Sequence, residues 1–420
     1  MSNRYLPTFT RHLSLLLVTQ SLASSTSAVS FLVSGFIGTR LSPVRALATL
    51  PMSTFVIGVA VSSTFAAWTM SRTGRKKGHL IGVSVALLGA ALAGLSLFLQ
   101  SFIGYALSCA FLGIGTAFTN QIRFTAAEGA PPEQKALVHS SILMCGLFAA
   151  VLGPGIAAIG KDLLGHSNNV GQSLEYIGSY LLLGVLLILA MTALSFLPGG
   201  TKPVPPPKTE SNQSRLTGVL SRPEFWLAGT SGTASFAVMT LLMAATPMQM
   251  TEVEHFSHHD AIFTIQSHII AMFLPSLFSG ILVARLGLYK LILSGLVLFS
   301  ACVPIAYFAG TLHEYWWALV LLGVGWNFLF LAGSTMLSLS FSGSDRFAAQ
   351  GLNDTMIYGT QAFASLAAGW MLYTFGWQAL SLFPIPFLVV VFVLSTIYRR
   401  NLAAATGTPV VATGDAQLAK

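Results

Sequence analysis

Ala67-Trp68-Thr69-Met70-Ser71-Arg72-Thr73-Gly74-Arg75-Lys76 closes one long apolar run and precedes the next, and its reading decides the fold. The end of the pattern returns as Arg285-Leu286-Gly287 after a later apolar run, an offset of 213 from 72 to 285. Leu112-Gly113-Ile114-Gly115 likewise returns as Leu322-Gly323-Val324-Gly325, an offset of 210 from 112 to 322. Two independent matches at nearly one offset, in corresponding apolar runs, indicate that the chain is a duplication.

The 420 residues are 54% hydrophobic and only 8% charged, with mean hydropathy +0.74. A soluble domain carries roughly 25% charged residues, so the composition excludes a soluble enzyme. A membrane span needs about 20 apolar residues, which leaves room for about a dozen spans. The reading is therefore an all-α polytopic membrane protein with twelve transmembrane helices. They fall at about 13–38, 46–70, 79–99, 102–124, 137–160, 176–197, 224–250, 259–284, 289–310, 313–341, 347–374 and 377–398.

The net charge of +8 raises the question of nucleic acid, but its distribution answers it. With the N-terminus in the cytoplasm, every Lys and Arg falls on the inner side except Arg40, Arg45 and Lys161. That is the positive-inside pattern of a membrane protein, and no nucleic-acid partner is needed to explain it. Both termini are expected in the cytoplasm. Cys109, Cys145 and Cys302 are odd in number and form no CxxC, so neither a disulfide framework nor a cysteine zinc site is supported. The first apolar run is long enough to span and lacks a cleavage pattern, so it is expected to stay as an anchor.

A polar, Pro-rich stretch divides the spans six and six, and is expected to be mobile or partly extended. The organisation read is an N-terminal half, 1–198, a cytoplasmic linker, 199–222, a C-terminal half, 223–400, and a tail, 401–420. Six-plus-six repeats are a transporter architecture with the binding site between the halves near the midplane.

With these residues in view, the chain resembles the major facilitator superfamily. Residues 67–76 are similar to its signature G-x-L-a-D-r-x-G-r-k, keeping Arg72, Gly74, Arg75 and Lys76 but with Ala67 and Ser71 for the usual Gly and Asp. The second copy, Gly280 to Gly287, keeps Arg285 but has Ala284 for the Asp. The resemblance implies that this Asp helps hold the halves together on the cytoplasmic side, so its loss questions how the gate is paired. Gly153-Pro154-Gly155 resembles the superfamily's Gly-Pro motif. Phe347-Ala348-Ala349-Gln350-Gly351-Leu352-Asn353-Asp354, Gly325-Trp326-Asn327-Phe328-Leu329-Phe330 and Met272-Phe273-Leu274-Pro275-Ser276 resemble a bacterial subgroup. It contains copper importers for haem-copper oxidase assembly and related riboflavin importers. The copper importers' metal motifs, M-x-x-x-M and H-x-x-x-M, are matched by Met239/Met243 and His268/Met272.

Each of these pairs stacks on one helix face. Thioether and imidazole together suit Cu(I), and His268 falls near mid-membrane, where ionisable groups usually face a cavity. Alternatively His268 hydrogen-bonds an organic substrate or carries a proton, and the methionines are ordinary packing. The loop from Glu252 to Asp260, with three histidines beside carboxylates, either collects a divalent or cuprous ion or is simply solvated. Asp354 is either a buried proton-coupling carboxylate or a helix cap. Arg123, beside Asn120 and Gln121, either binds an anion, closes an inner gate with Glu128, or snorkels to the interface. Asn327, Trp326 and Gln20 are candidate cavity residues, each with a packing alternative.

The expectation is a secondary active transporter, not an enzyme. It is placed in a bacterial cytoplasmic (inner) membrane and works as a monomer by alternating access. No Walker loop is present, so a gradient supplies the energy, and no cofactor is expected. The leading cargo is copper, held by Met239, Met243, His268 and Met272. The alternative is riboflavin or another small organic molecule stacked on aromatic rings, or export of a drug or metabolite. Gating or coupling is assigned to Asp354, Arg123, Arg72, Gly74, Arg75 and Arg285.

Overall fold

The computed structural model describes residues 11–44, 47, 49–164, 175–198, 212–343 and 345–406. The N-terminal half comprises α1 (Arg11–Leu41), α2 (Leu50–Thr73), α3 (Arg75–Phe98), α4 (Phe102–Asn120), α5 (Ile122–Glu128), α6 (Lys135–Leu163) and α7 (Ile177–Ser195). After α8 (Asn212–Leu220) come α9 (Pro223–Met248), α10 (His258–Phe273), α11 (Ser276–Leu286), α12 (Leu288–Tyr307), α13 (Leu312–Ser340), α14 (Asp345–Leu382) and α15 (Pro384–Thr406). No strand occurs among the described residues. Inside a bilayer only helices satisfy every backbone group within one segment, which is why so apolar a chain is helical almost throughout.

Among the described residues, ten helical stretches are long and apolar enough to cross a membrane, and α10 with α11, bent by 42°, makes an eleventh. One of the ten, Asp345–Arg399, has 55 residues, about 80 Å of helix and too long for one crossing. It breaks at Gly376, whose φ of 79° and ψ of 171° are not helical. The stretch is therefore two spans, and the count reaches twelve. The eighth span, expected as one helix over 259–284, is interrupted because Pro275 has no N–H to continue the ladder.

The linker differs from its extended reading. Its last part forms α8, where Val219 is buried and the Leu220 carbonyl accepts the Trp226 indole N–H at 2.8 Å. One buried valine and one indole bond anchor a segment whose composition is otherwise polar. Residues 199–211 of the linker, 407–420 of the tail, and Arg4, Arg45, Lys202, Lys208 and Lys420 lie outside the described residues.

The repeated motifs make the same contacts in both halves. At Gly113 of α4, an added Cβ would run into the Phe55 carbonyl of α2. At its counterpart Gly323 of α13, a Cβ would lie 2.8 Å from the His268 carbonyl of α10. A Cβ at Gly115 would lie 2.6 Å from the Gly82 carbonyl of α3, and one at Gly325 would lie 3.2 Å from the Gly295 carbonyl of α12. Each Gly-x-Gly thus lets a central helix touch two neighbours at backbone distance, as small residues do in membrane packing. Gly74 and Gly287 are one-residue corners with φ of 89° and 81°, a region that side chains with a Cβ disfavour. The halves join mainly where α2 meets α14 and where α6 meets α11 and α13.

Candidate functional site

The polar bonds between the halves gather toward the end of the bundle that carries the Arg-x-Gly corners. At Gln121 the fourth span breaks, and α5 continues with residues Ile122 to Ala127 all buried. Arg123 is 5% exposed and Asp354 is 0% exposed, and they form an ion pair from one half to the other. Asp354 lies in the third turn of α14, while Asp345 occupies the first, so Asp354 is not that helix's cap. Its carboxylate also accepts from Gln121 Nε2 at 2.7 Å and Asn353 Nδ2 at 3.0 Å. Arg123 does not snorkel. Its Nη1 lies 3.5 Å from the Tyr358 hydroxyl, and its guanidinium sits 4.4 Å over the Phe124 ring and 4.8 Å over the Phe330 ring.

Closer to the surface, Arg75 donates to Glu128 on its own half and to Gln350 Oε1 across the seam at 2.6 Å. Arg346 approaches Glu128 from the other half at 3.4 Å. Lys135 Nζ donates to the Ser338 carbonyl at 2.6 Å, and His139 Nε2 meets the Ser338 hydroxyl at 2.8 Å. Deeper in, Thr64 and Thr355 share a hydroxyl bond at 2.7 Å, and Ser140 donates to the Ser276 carbonyl. Ser71, which replaces the signature Asp, donates to the Trp68 carbonyl of its own helix at 2.7 Å, and Arg72 lies 4.5 Å over the Trp68 ring. Arg285 holds the matching place in the last turn of α11. The pairing that the signature Asp implied is made here by Glu128 and Asp354.

Above the ion pair, at mid-helix depth, the C-terminal half presents a wall of rings. Phe236 of α9 stands edge-on to Trp326, Phe330 and Tyr358 at 5.2, 5.0 and 5.5 Å between centroids. Trp326 stacks on Phe330 at 5.3 Å and meets Phe273 of α10 edge-on at 5.7 Å. Phe273 in turn lies where a Cβ at Gly146 of α6 would be, so the wall reaches the seam. Trp326 and Phe330 are four apart and share one face of α13. The Trp326 indole N–H is buried without a hydrogen-bond acceptor, an open donor of the kind polar ligands use.

The methionine and histidine pairs are placed differently. His268 is fully buried and donates its Nδ1–H to the Leu319 carbonyl of α13 at 2.7 Å, leaving Nε2 without a partner. Asn327 donates to the Met272 carbonyl at 2.8 Å and to Ser276 Oγ at 2.6 Å. Both side chains therefore tie α10 to α13 within one half. Met239 and Met272 are buried, and Met243 is half-buried. Gln20 donates to Ser24 Oγ at 2.9 Å within α1, and its Oε1 is buried without a partner. In the loop, Glu252 accepts from Tyr373 and Glu254 from Gln249. Among the described residues no group of three His, Cys, Asp or Glu is gathered as for a metal.

The sequence singles out Arg123, Glu128, Gln121 and Asp354 but does not join Arg123 to Asp354, which are 231 positions apart. Phe236, Phe330, Tyr358 and His139, which sequence reasoning did not single out, join the candidate site by their contacts. The i, i+4 spacing of Trp326 and Phe330 was the available signal, and in an aromatic-rich chain it marks nothing by itself.

Similarity to known proteins agrees with the architecture. The sequence profile of the Major Facilitator Superfamily matches residues 15–265 and, in a second match, 228–415. The chain is 32% identical over 396 residues to the riboflavin transporter RfnT of Brucella anthropi, covering 94% of this chain and 98% of that one. It is 28% identical over 393 residues to YdeG, an uncharacterised transporter of the same superfamily in Bacillus subtilis, covering 89% and 88%. Among solved structures, the transporter FucP in its outward conformation superposes with a TM-score of 0.74 at 15% identity, covering 92% and 98%. A bacterial homologue of the iron transporter ferroportin superposes with a TM-score of 0.71 at 17% identity, covering 93% and 99%. At those identities the structures speak for the fold alone. With the duplicated six-helix halves, the Arg-x-Gly corners and matches that run nearly end to end, the chain belongs to the Major Facilitator Superfamily.

Proposed function

We propose that this secondary transporter imports riboflavin, or a flat heteroaromatic of the same kind, across a bacterial cytoplasmic membrane. The observation that carries this reading is the ring wall of Phe236, Trp326, Phe330, Tyr358 and Phe273 at mid-depth against the seam. A flat ring gains about 0.5–1.5 kcal/mol per aromatic partner beyond its buried area, and a metal ion gains no such stacking energy. The relative named as a riboflavin transporter supports the same choice. Copper import, the leading sequence reading, has less behind it, because the named relative carries riboflavin and no group of three His, Cys, Asp or Glu gathers as for a metal among the described residues.

In this reading the basic end faces the cytoplasm, so the described conformer is sealed inside. The Arg123–Asp354 pair must part before cargo leaves. We assign the coupling proton to Asp354, since a proton there removes the charge that holds Arg123 across the seam.

The test is expression of the chain in a bacterium that can neither make riboflavin nor import it. Growth at low external vitamin and saturable uptake of labelled riboflavin are expected. Correctly inserted protein that supports neither would sink the riboflavin reading, and a rise in cell copper that depends on His268 would replace it.

A further inference from the structure

Phe330 belongs to two structures at once. One neighbour is the C-terminal half's own ring wall, with Trp326 stacked at 5.3 Å and Phe236 edge-on at 5.0 Å. The other is the Arg123 guanidinium of the opposite half, 4.8 Å from the ring centroid. A guanidinium is planar and weakly hydrated, and stacks on an aromatic face much as a flat ring does. Arg123 is also the cation of the Asp354 pair, so the group that covers Phe330 is the group that locks the halves.

When the halves part at the sealed end, Arg123 leaves with the N-terminal half and a face of Phe330 is uncovered. A flat cargo can cover that face; a small ion cannot. A ligand shifts a two-state equilibrium only by its difference in affinity for the two states, and here that difference has a specific location. We propose that Phe330 is a cargo-positioning residue whose ring is exchanged between Arg123 in the sealed conformer and the cargo ring in the opened one, so that a flat cargo itself favours release of the Arg123–Asp354 latch. This rests on the ring-stacking reading of the cargo given above.

The seam supplies its own reporter. Thr64 and Thr355 hydroxyls are 2.7 Å apart across the halves in the sealed conformer, close enough for cysteines there to form a disulfide. The full chain, with Cys109, Cys145 and Cys302 replaced by Ala and carrying Thr64→Cys and Thr355→Cys, would be reconstituted in nanodiscs. Oxidative cross-linking would be timed with and without riboflavin, with binding followed by quenching of flavin fluorescence. With Phe330 present, riboflavin should slow cross-linking by up to about fivefold, the limit set by a shift of one cation–π contact's size in the sealed-to-opened ratio. Phe330→Leu should slow cargo-free cross-linking by up to about threefold, by loosening Arg123, and should abolish the riboflavin effect while binding persists through Trp326. Phe330→Tyr, which keeps the ring, should restore both.

Two results overturn the proposal. One is a cargo-free cross-linking rate that Phe330→Leu leaves unchanged. The other is bound riboflavin that slows cross-linking equally in the Phe330 protein and in the Phe330→Leu variant. Riboflavin that does not bind the Phe330 protein at all sinks the riboflavin reading instead, and the cargo-free rates still decide whether Phe330 holds the latch.

Discussion

Asp354→Ala is the change from which the structure predicts most. Asp354 receives two contacts from the opposite half, the Arg123 ion pair and the Gln121 amide bond at 2.7 Å. Asn353, its third partner, is on its own helix. Alanine leaves Arg123 buried with no counter-charge, which costs about 3–5 kcal/mol in buried pairs. That penalty falls on the sealed conformer, because Arg123 regains water when the seam opens. At about 1.4 kcal/mol per decade, the ratio of sealed to opened protein should fall by more than about 100-fold. Spin labels at Lys77 and Lys290 would read this as a distance. Both are at the starts of helices, α3 and α12, one in each half at the sealed end. The expected outcome is a main population at longer distance in Asp354→Ala. The double variant Asp354→Ala with Arg123→Leu, which removes both charges, should recover much of the short distance. The reasoning fails if Asp354→Ala keeps the parent distribution, or if the two single effects add in the double variant to within about 0.5 kcal/mol.

Two further outcomes follow from the fold. Gly74→Ala and Gly287→Ala force a Cβ into φ of 89° and 81°, so each should destabilise the protein by about 1–3 kcal/mol, seen as a lower midpoint in thermal unfolding in detergent; unchanged midpoints would refute the corner role. His268→Ala leaves the Leu319 carbonyl without its donor, so it should cost about 1–3 kcal/mol of stability, with riboflavin uptake per folded molecule kept within about twofold; loss of uptake at full stability would return His268 to the cargo site.

The missing signature Asp shows how a local motif misleads about pairing. Ser71 and Ala284 leave both corners without their usual carboxylate, yet the sealed end is not short of ion pairs. The acids come from the ends of other spans, Glu128 after α4 and Asp354 within α14. Arg346 on α14 and Arg75 beside the first corner converge on Glu128. A charge can move between helices and keep its role when both helices end in the same small volume.

Composition and repetition by themselves determined that this is a twelve-span, duplicated helical membrane protein with its basic loops on one face. Those properties are local or additive: apolar length makes a span, a glycine with positive φ makes a corner, and a repeated Gly-x-Gly makes the same helix contact twice. Which polar side chains are spent on packing and which meet across the seam is neither local nor additive. His268 and Asp354 are both ionisable groups set inside spans. Only the tertiary structure turned the first toward Leu319 within its own half and the second toward Arg123 in the other, because partner choice depends on which helix faces lie opposite one another once twelve spans have packed.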